Sequence, residues 1–463
     1  MKLSGDYTVD VGVIDGILKS GESFDLVRRE CAFAGARETF FYVEGFVAGE
    51  MMQRLMAYMA EQKKIGDAAE FAASLPAVEA TTCDDADELV FAVMSGKSVM
   101  LAEPFGASAL IIDSRHYPAR DATEPENDRV LRGSRDGFVE TLMFNIAMIR
   151  RRIRSPEMRV EYARVGASSG TDVALCFMDD RADRALLEKL RASLASIPTD
   201  SVVLGHESLA ECLVRKRWYD PFPKIRLTER PDVAAASVLE GSVILLCDNS
   251  PEAMLFPTSI FDFLQEADDF YFPPVTGTYL RIIRHIVFLL SIVLVPLWYL
   301  AVINEGILPD ALKFMIPDDS GDLPIIIQLF IVEFSLDGLK LAYLNTPDTL
   351  SSSVSVVGGL LLGDFAVKVG WLSPDVILYM AFASVANYTQ SSYELGYAFK
   401  YLRMISLLLT ALFNAWGFAA SLLVAVLSVA LNRTFGGKGY LYPLIPFNKT
   451  ALKRLLVRVR KYD

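Results

Sequence analysis

The residues of this chain best suited to chemistry are ionisable groups set inside oily sequence. Glu333, Asp337 and Lys340 lie in "PIIIQLFIVEFSLDGLKLAYL" at i, i+4 and i+7, so a helix would carry all three on one face. Asp364 and Lys368 lie in "VSVVGGLLLGDFAVKVGWL", four apart, and share a face of another helix. Asn387 and Asn414 add uncharged polar groups to later apolar runs. A charge at mid-membrane costs about 3 kcal/mol on insertion scales, and those that persist usually face a bundle interior or an aqueous path. Two chemistries suit such a set: mutual pairing, or an acidic lining that attracts small monovalent cations such as K⁺ or Na⁺. Lys368 has a third option, snorkelling to the interface beside Trp371. Gly359 and Gly363 stand at a small-xxx-small spacing that lets helices approach closely, within one subunit or at an oligomer seam.

What must position these groups follows from the distribution of charge. Residues 1–280 hold 30 Lys and Arg against 45 Asp and Glu, a net of −15; from Arg281 onward 15 basic and 12 acidic residues give +3, and the two sum to the overall −12. The sequence therefore predicts an acidic soluble region followed by a membrane region. An acidic soluble region excludes nucleic acid as the main partner, because phosphate binding needs a basic footprint. "MKLSGDYTVDVGVIDGIL" lacks an apolar h-region and a small-residue cleavage site, so no cleavable signal peptide is expected. Cys31, Cys83, Cys176, Cys212 and Cys247 form no C-x-x-C pair, which fits a reducing compartment and gives no zinc spacing. With His116, His206 and His285 the only histidines, no metal or cofactor site is expected.

The fold class expected is α+β, a two-lobed α/β cytosolic N-terminal region, followed by an all-α polytopic membrane domain. In the first lobe, residues 1–118, "ETFFYVEGF" reads as a strand, "AGEMMQRLMAYMAEQ" as a helix, and "KSVMLAEPFGASALIIDS" as two strands around a turn. The polar stretch "RHYPARDATEPEND" separates it from the second lobe, residues 119–280. That lobe reads as an amphipathic helix "GFVETLMFNIAMIRRRI", a strand "TDVALCFMDD", a helix "RALLEKLRASLASI", a strand "DSVVLG", a helix "VAAASVLE" capped by Asp232 and ended by Gly241, and a hairpin "SVILLCDNSPEAMLFP".

The membrane region, residues 281–432, offers five apolar segments. They are "RIIRHIVFLLSIVLVPLWYLAVI" with a kink expected at Pro296, the charged segment around Glu333, the segment around Asp364, "DVILYMAFASVANY", and one long final span "MISLLLTALFNAWGFAASLLVAVLSVAL". Arg281 and Arg284 precede the first, and the tail 433–463 is rich in Lys and Arg, so both ends are expected in the cytosol and the number of crossings should be even. Four full crossings satisfy this if the charged Glu333 segment lies flat, re-enters or lines a wet cavity; arrangements of five or six stay open.

Catalytic look-alikes fail on context. "GASSG" around Ser168 matches a nucleophile elbow, but a strand follows where a helix is required. "MSGKSV" approaches a phosphate loop with Phe91 in place of its first glycine. The run "IRRRIR" suits a solvated helix end, an anionic-lipid contact or a subunit contact. No enzyme activity is expected.

Three long blocks carry a family resemblance: "RVLRGSRDGFVETLMFNIAMIRRRI", "PFPKIRLTERPDVAAASVLEGSVILLCDNSP" and "VSVVGGLLLGDFAVKVGWLSPDVI". In order, from about residue 85 to the last span, they resemble the GerA family, the A-type subunits of bacterial spore germination receptors. "DVGVID", "FYVEGFV" and "PPVTGTYLR" are similar to its stage V sporulation protein AF branch. The resemblance implies an integral protein of the spore inner membrane that forms oligomers and a cation channel with permease-like and other germination subunits. It also implies a role in ion release, amplifying rather than sensing. Charged residues of the first two blocks, Arg135, Arg150, Arg151, Arg152, Glu229, Arg230 and Asp232, are candidates for an inter-lobe or subunit contact. Where the family carries a glutamate pair and an Arg-Glu, this chain has Glu333, Asp337 and Leu339-Lys340. A non-conducting scaffold that assembles other germination proteins is the alternative.

Overall fold

A computed structural model describes the chain apart from residues 76–78, 118–127, 215–217, 319–320, 348–355, 391, 437–438 and 459–463, and apart from the side chains of Ile307, Leu361, Leu362 and Asp364. The polar stretch expected to divide the lobes thus falls largely outside the described residues. The chain forms two units, one of Met1–Lys216 and Ile225–Thr258, the other of Arg217–Lys224 and Ser259–Asp463.

The first unit contains two five-stranded sheets, and every strand pairing in both is antiparallel. Its first half runs α1 (Tyr7–Leu18), β1 (Leu26–Phe33), β2 (Ala36–Val43), α2 (Gly49–Glu61), α3 (Ala68–Ser74), β3 (Ala80–Cys83), α4 (Ala86–Met94), β4 (Ser98–Ala102) and β5 (Ala109–Ile112). The second half runs α5 (Leu142–Arg152), β6 (Met158–Val165), β7 (Thr171–Met178), α6 (Arg184–Ala195), α7 (His206–Leu213), β8 (Arg226–Thr228), α8 (Pro231–Leu239), β9 (Val243–Cys247) and β10 (Ala253–Phe256). Element for element the two runs are the same, and the strand orders β1-β2-β4-β5-β3 and β6-β7-β9-β10-β8 coincide. The unit is one topology laid down twice.

Burial explains why the inner strands read as continuous apolar runs. On the first sheet Phe41, Val99, Leu101 and Ile111 pack on one face with α1 and α4. Phe40, Met100, Leu110 and Ile112 pack on the other with α2 and α3, so period-2 alternation sorts residues between two cores rather than between core and water. In the second sheet α5 and α8 occupy the face equivalent to that of α1 and α4.

Two local expectations are corrected. "DSVVLG" is not a strand: Val203 and Leu204 are exposed, and the segment only leads into α7. Helix α8 begins at Pro231 with Arg230 at the cap position, and Asp232 lies inside its first turn.

The second unit is helical. Short α9 (Asp268–Tyr271) precedes α10 (Pro274–Ile303), which continues through Pro296. After two 3₁₀ turns comes α11 (Ile325–Leu344). Residues 356–368 form α12, whose middle, Leu360–Phe365, is a π-helical turn. Then follow α13 (Pro374–Tyr388), α14 (Tyr393–Ala430) and α15 (Lys449–Leu456).

The long final span is not one rod. Asn414 has φ 54° and ψ −136°, which breaks α14 into two arms, 393–413 and 415–430. The arms fold back on each other: Ser406 Oγ lies 2.7 Å from Ser421 Oγ, and a Cβ on Gly417 would meet the Leu409 carbonyl oxygen at 1.9 Å. A reciprocal amide pair holds the bend, with Asn304 Nδ2 donating to Asn414 Oδ1 at 2.6 Å and Asn414 Nδ2 to Asn304 Oδ1 at 3.0 Å.

Contacts fix the helix directions. The end of α10 meets the bend of α14, so α10 runs parallel to the first arm. Gln328 at the start of α11 bonds the Ser373 amide before α13, while Lys340 near its end lies over the Tyr388 ring, so α11 and α13 run together in the opposite sense. Gly358 of α12 meets Leu339 and Gly370 meets Gly321, so α12 is antiparallel to α11. Six segments therefore alternate in direction. Among the described residues, α10 is a continuous helix long and apolar enough to cross a membrane, and α14 is so when its two arms are counted together.

Candidate functional site

The side chains of Glu333, Asp337 and Lys340 meet a second set of charges, Lys400 and Arg403, in the middle of the helical unit. Spacings of i, i+4 and i+7 place the three on one face of α11, and Lys400 and Arg403, i and i+3, face them from the first arm of α14. Arg403 Nη2 donates to both Glu333 oxygens, at 2.8 and 3.0 Å, and Nη1 donates to the Ser291 carbonyl of α10 at 3.0 Å. Lys400 Nζ lies 3.4 Å from Glu333 Oε1 and bonds Asp337 directly. Glu333, Lys400 and Arg403 are all buried.

Lys340 is held differently. Its ammonium sits 4.8 Å from the Tyr388 ring centre and 5.5 Å from that of Tyr397, a cation–π cradle. Two small pockets adjoin it: one lined by Lys340, Asn387, Tyr388 and Lys400, the other by Glu333, Asp337, Asn387 and Arg403. The cluster is therefore two carboxylates against three cations. Removing one partner from such a buried pair costs about 3–5 kcal/mol, because it leaves an uncompensated charge.

Polar capacity around the cluster is not used up. Among the described residues, Arg403 Nε and Asn387 Oδ1 have no hydrogen-bond partner. Neither does either polar atom of the Gln390 side chain, which is buried. An arrangement like this can hold charge away from lipid, exchange pairing partners, and take small polar species beside Lys340 and Asn387.

The acidic face is thus met by basic residues of the same chain rather than left to water. Lys400 and Arg403 escape the hydropathy reading because the apolar window starts at Met404, one residue after them. Their signal was an i, i+3 cation pair at the mouth of an apolar run.

The second set of intramembrane candidates is not brought to this cluster by any described contact. Lys368 is exposed, and the side chain of Asp364 lies outside the described residues. The π-helical turn between residues 360 and 365 replaces the regular α-helix on which a shared face for the two was expected. Gly359 and Gly363 have nothing within 4 Å of a Cβ; Gly358 makes the close approach instead, a Cβ there reaching Leu339 Cδ1 at 2.5 Å. Asn414 belongs to the bend of α14 rather than to a span interior.

The charged residues of the sheet-containing unit divide. Arg150 joins the two sheets: Nε donates to Asp25 Oδ2 at 2.6 Å, Nη2 to Asp25 Oδ1 at 2.8 Å, and both Nη groups to the Met158 carbonyl at 3.0 Å. Beside it Phe24 stacks on Tyr162, centroids 4.8 Å apart. Arg151 covers the Tyr117 ring, and Arg152 bonds Asp136 at 2.5 and 2.7 Å, holding that carboxyl below its usual range despite burial that pushes it up. Arg230 is buried against Asp232 and the Ser134 carbonyl, so it ties α8 to the segment before α5. The Glu229 carbonyl accepts from the Phe138 amide in the same place. Arg135 is exposed.

One arrangement absent from the sequence reading has a triad's order of partners. Ser250 Oγ lies 2.6 Å from His206 Nδ1, and His206 Nε2 lies 2.6 Å from Glu252 Oε2. Ser250 is 2 % exposed, so its hydroxyl is closed to a substrate, and the chain of bonds ties the β9–β10 turn to the start of α7. "GASSG" forms the β6–β7 turn with Gly166 and Gly170 both at positive φ, which is a hairpin role.

Comparison with known proteins covers almost the whole chain. The family described as Bacillus/Clostridium GerA spore germination protein matches residues 14–462. Stage V sporulation protein AF of Bacillus subtilis (strain 168) is 40% identical over 375 residues, 81% of this chain and 76% of that protein. Spore germination protein KA of the same organism is 29% identical over 377 residues, 81% of this chain and 68% of that one. Among solved structures, the N-terminal domain of the A subunit of the Bacillus megaterium spore germinant receptor GerK3 matches 55% of this chain and 96% of its own. It does so at 24% identity and a TM-score of 0.42.

Proposed function

The chain belongs to the GerA family of spore germination proteins, and from that premise we propose that it is an integral membrane subunit of an ion-release complex acting in germination. Its setting on this reading is the spore inner membrane. The sheet-containing unit and the basic tail face the cytosol, and the helical unit crosses the bilayer several times. The six alternating segments support an even count, with α10 a continuous helix of 30 residues and the two arms of α14 running in opposite directions. Copies of the chain assemble with each other and with permease-like or other germination subunits, and monovalent cations pass through the assembly.

The observation that carries this reading is the buried cluster of Glu333, Asp337, Lys340, Lys400 and Arg403. Three of these groups, Glu333, Lys400 and Arg403, are buried in an apolar bundle, which is costly to maintain for packing alone. With both acids already paired, the cluster acts as a closed position: ion passage requires Asp337 or Glu333 to exchange its basic partner for a passing cation. Potassium flux from liposomes holding the purified chain, with and without partner subunits, tests this. Asp337→Asn should alter flux at unchanged assembly.

A second reading, a non-conducting scaffold, is favoured by that same complete pairing, since neither acid is left to line an open path. A scaffold would show no flux in any combination, and Glu333→Gln would reduce assembly.

A further inference from the structure

We propose that α15 and the loop before it form a docking surface for anionic bilayer lipids, placed where α10 enters the membrane. The proposal rests on the membrane reading of α10. Helix α15 is fastened to the start of α10 by its C-terminal end. Arg281 Nη1 donates to the Arg454 and Leu455 carbonyls at 3.0 and 3.4 Å, and the Arg458 amide donates to Thr278 Oγ1 at 3.1 Å. The first pair satisfies helix-end carbonyls that have no partner within α15. Leu455 is buried, and the opposite side of the helix is left free.

That free side has one consistent chemistry. Lys449 and Lys453 are four apart on one face, Arg454 adjoins them, and all three are exposed. The loop ahead of them presents Leu444, Ile445 and Phe447, which are 43%, 57% and 69% exposed. Large apolar side chains beside a row of cations match the boundary between acyl chains and negatively charged headgroups. At the start of α10, to which α15 is fastened, Val275 and Tyr279 are likewise exposed, at 83% and 61%. An acidic protein surface would satisfy the cations and leave the loop residues in water. A bilayer satisfies both, and α10 already brings it there.

Hydrogen exchange on the full chain in nanodiscs separates this from the reading beneath it. Discs of phosphatidylcholine alone are compared with discs containing phosphatidylglycerol. Amides 440–458 should exchange at least about fivefold more slowly in the anionic discs, and high salt should abolish the gain. Lys449→Glu/Lys453→Glu should abolish it too while leaving α10 peptides unchanged, since both side chains are exposed. Equal exchange in the two lipids, or protection that persists in the variant, overturns the docking surface. Unprotected α10 peptides in both discs would instead overturn the membrane reading itself.

Discussion

Arg150 and Asp25 form a two-pronged ion pair that solvent does not reach at either side chain, 125 positions apart in the chain. It links α5 of the second sheet to the entry of β1 in the first, and the same guanidinium holds the Met158 carbonyl at the start of β6. The two copies of one topology are therefore fixed to each other at a buried point, which the bonds of Ser23 and Phe24 to the Val160 backbone extend.

Breaking that point should be costly. Arg150→Met leaves Asp25 buried without its cation, and a loss of about 3–5 kcal/mol is expected. Hydrogen exchange of β1 and α5 peptides in the full chain should accelerate together. Asp25→Asn combined with Arg150→Met should cost less than the sum of the two single changes.

The same logic applies to Glu333 and Arg403. Glu333→Gln should lower the thermal midpoint of the detergent-purified chain, the loss again being about 3–5 kcal/mol. Glu333→Leu with Arg403→Met should recover most of it, because a well-packed apolar pair can replace a buried ion pair. Recovered stability without recovered ion flux would separate a conducting role from a structural one.

Glu38 makes the sheet-containing unit sensitive to pH. Burial in β2, opposed only by a hydrogen bond from the Phe33 amide at 3.1 Å, pushes its carboxyl up from 4.5 to about 7. The folded state then binds a proton more tightly than the unfolded chain. The stabilisation is fully present below pH 4.5 and is lost as pH rises through about 7. Denaturant unfolding should show Glu38→Gln more stable than the parent at pH 8, by about 1–3 kcal/mol, with the gap closing towards pH 5.

The bend in α14 can be trapped chemically. In a Cys212→Ser background, Ser406→Cys/Ser421→Cys should oxidise within one chain and lose two free thiols. Those hydroxyls lie 2.7 Å apart. In an unbroken helix residues 15 apart would be separated by about 22 Å and could not join.

How far the sequence could be read depended on what masked its periodicity. Helices α2, α5, α6 and α8 carry apolar residues at helical spacing, and β7 and β9 are apolar enough to be recognised although both their faces are buried. Strand β1 is hidden because Arg28, Arg29 and Glu30 crowd its middle and much of it is exposed. "DSVVLG" misleads in the other direction, its Val203 and Leu204 being apolar but exposed. At the site, the acids on α11 were legible from spacing alone. Their basic partners were not, since they sit 60 and more positions away and pairing between helices leaves no trace in a single segment. The tandem topology leaves none either, because order of elements repeats where residues do not.

Asn414 bears on how the chain is made as well as on how it is held. Residues 393–430 as a straight helix would measure about 57 Å, against about 30 Å of hydrocarbon. A translocation machine reading oiliness alone would find one oversized stop signal there. A single residue in an unusual backbone state turns it into a hairpin, which can enter the bilayer as one event with its tip leading. On the membrane reading proposed above, the side on which the residues after Ala430 are deposited then follows from the backbone at one asparagine, with no charged loop at the tip to steer it.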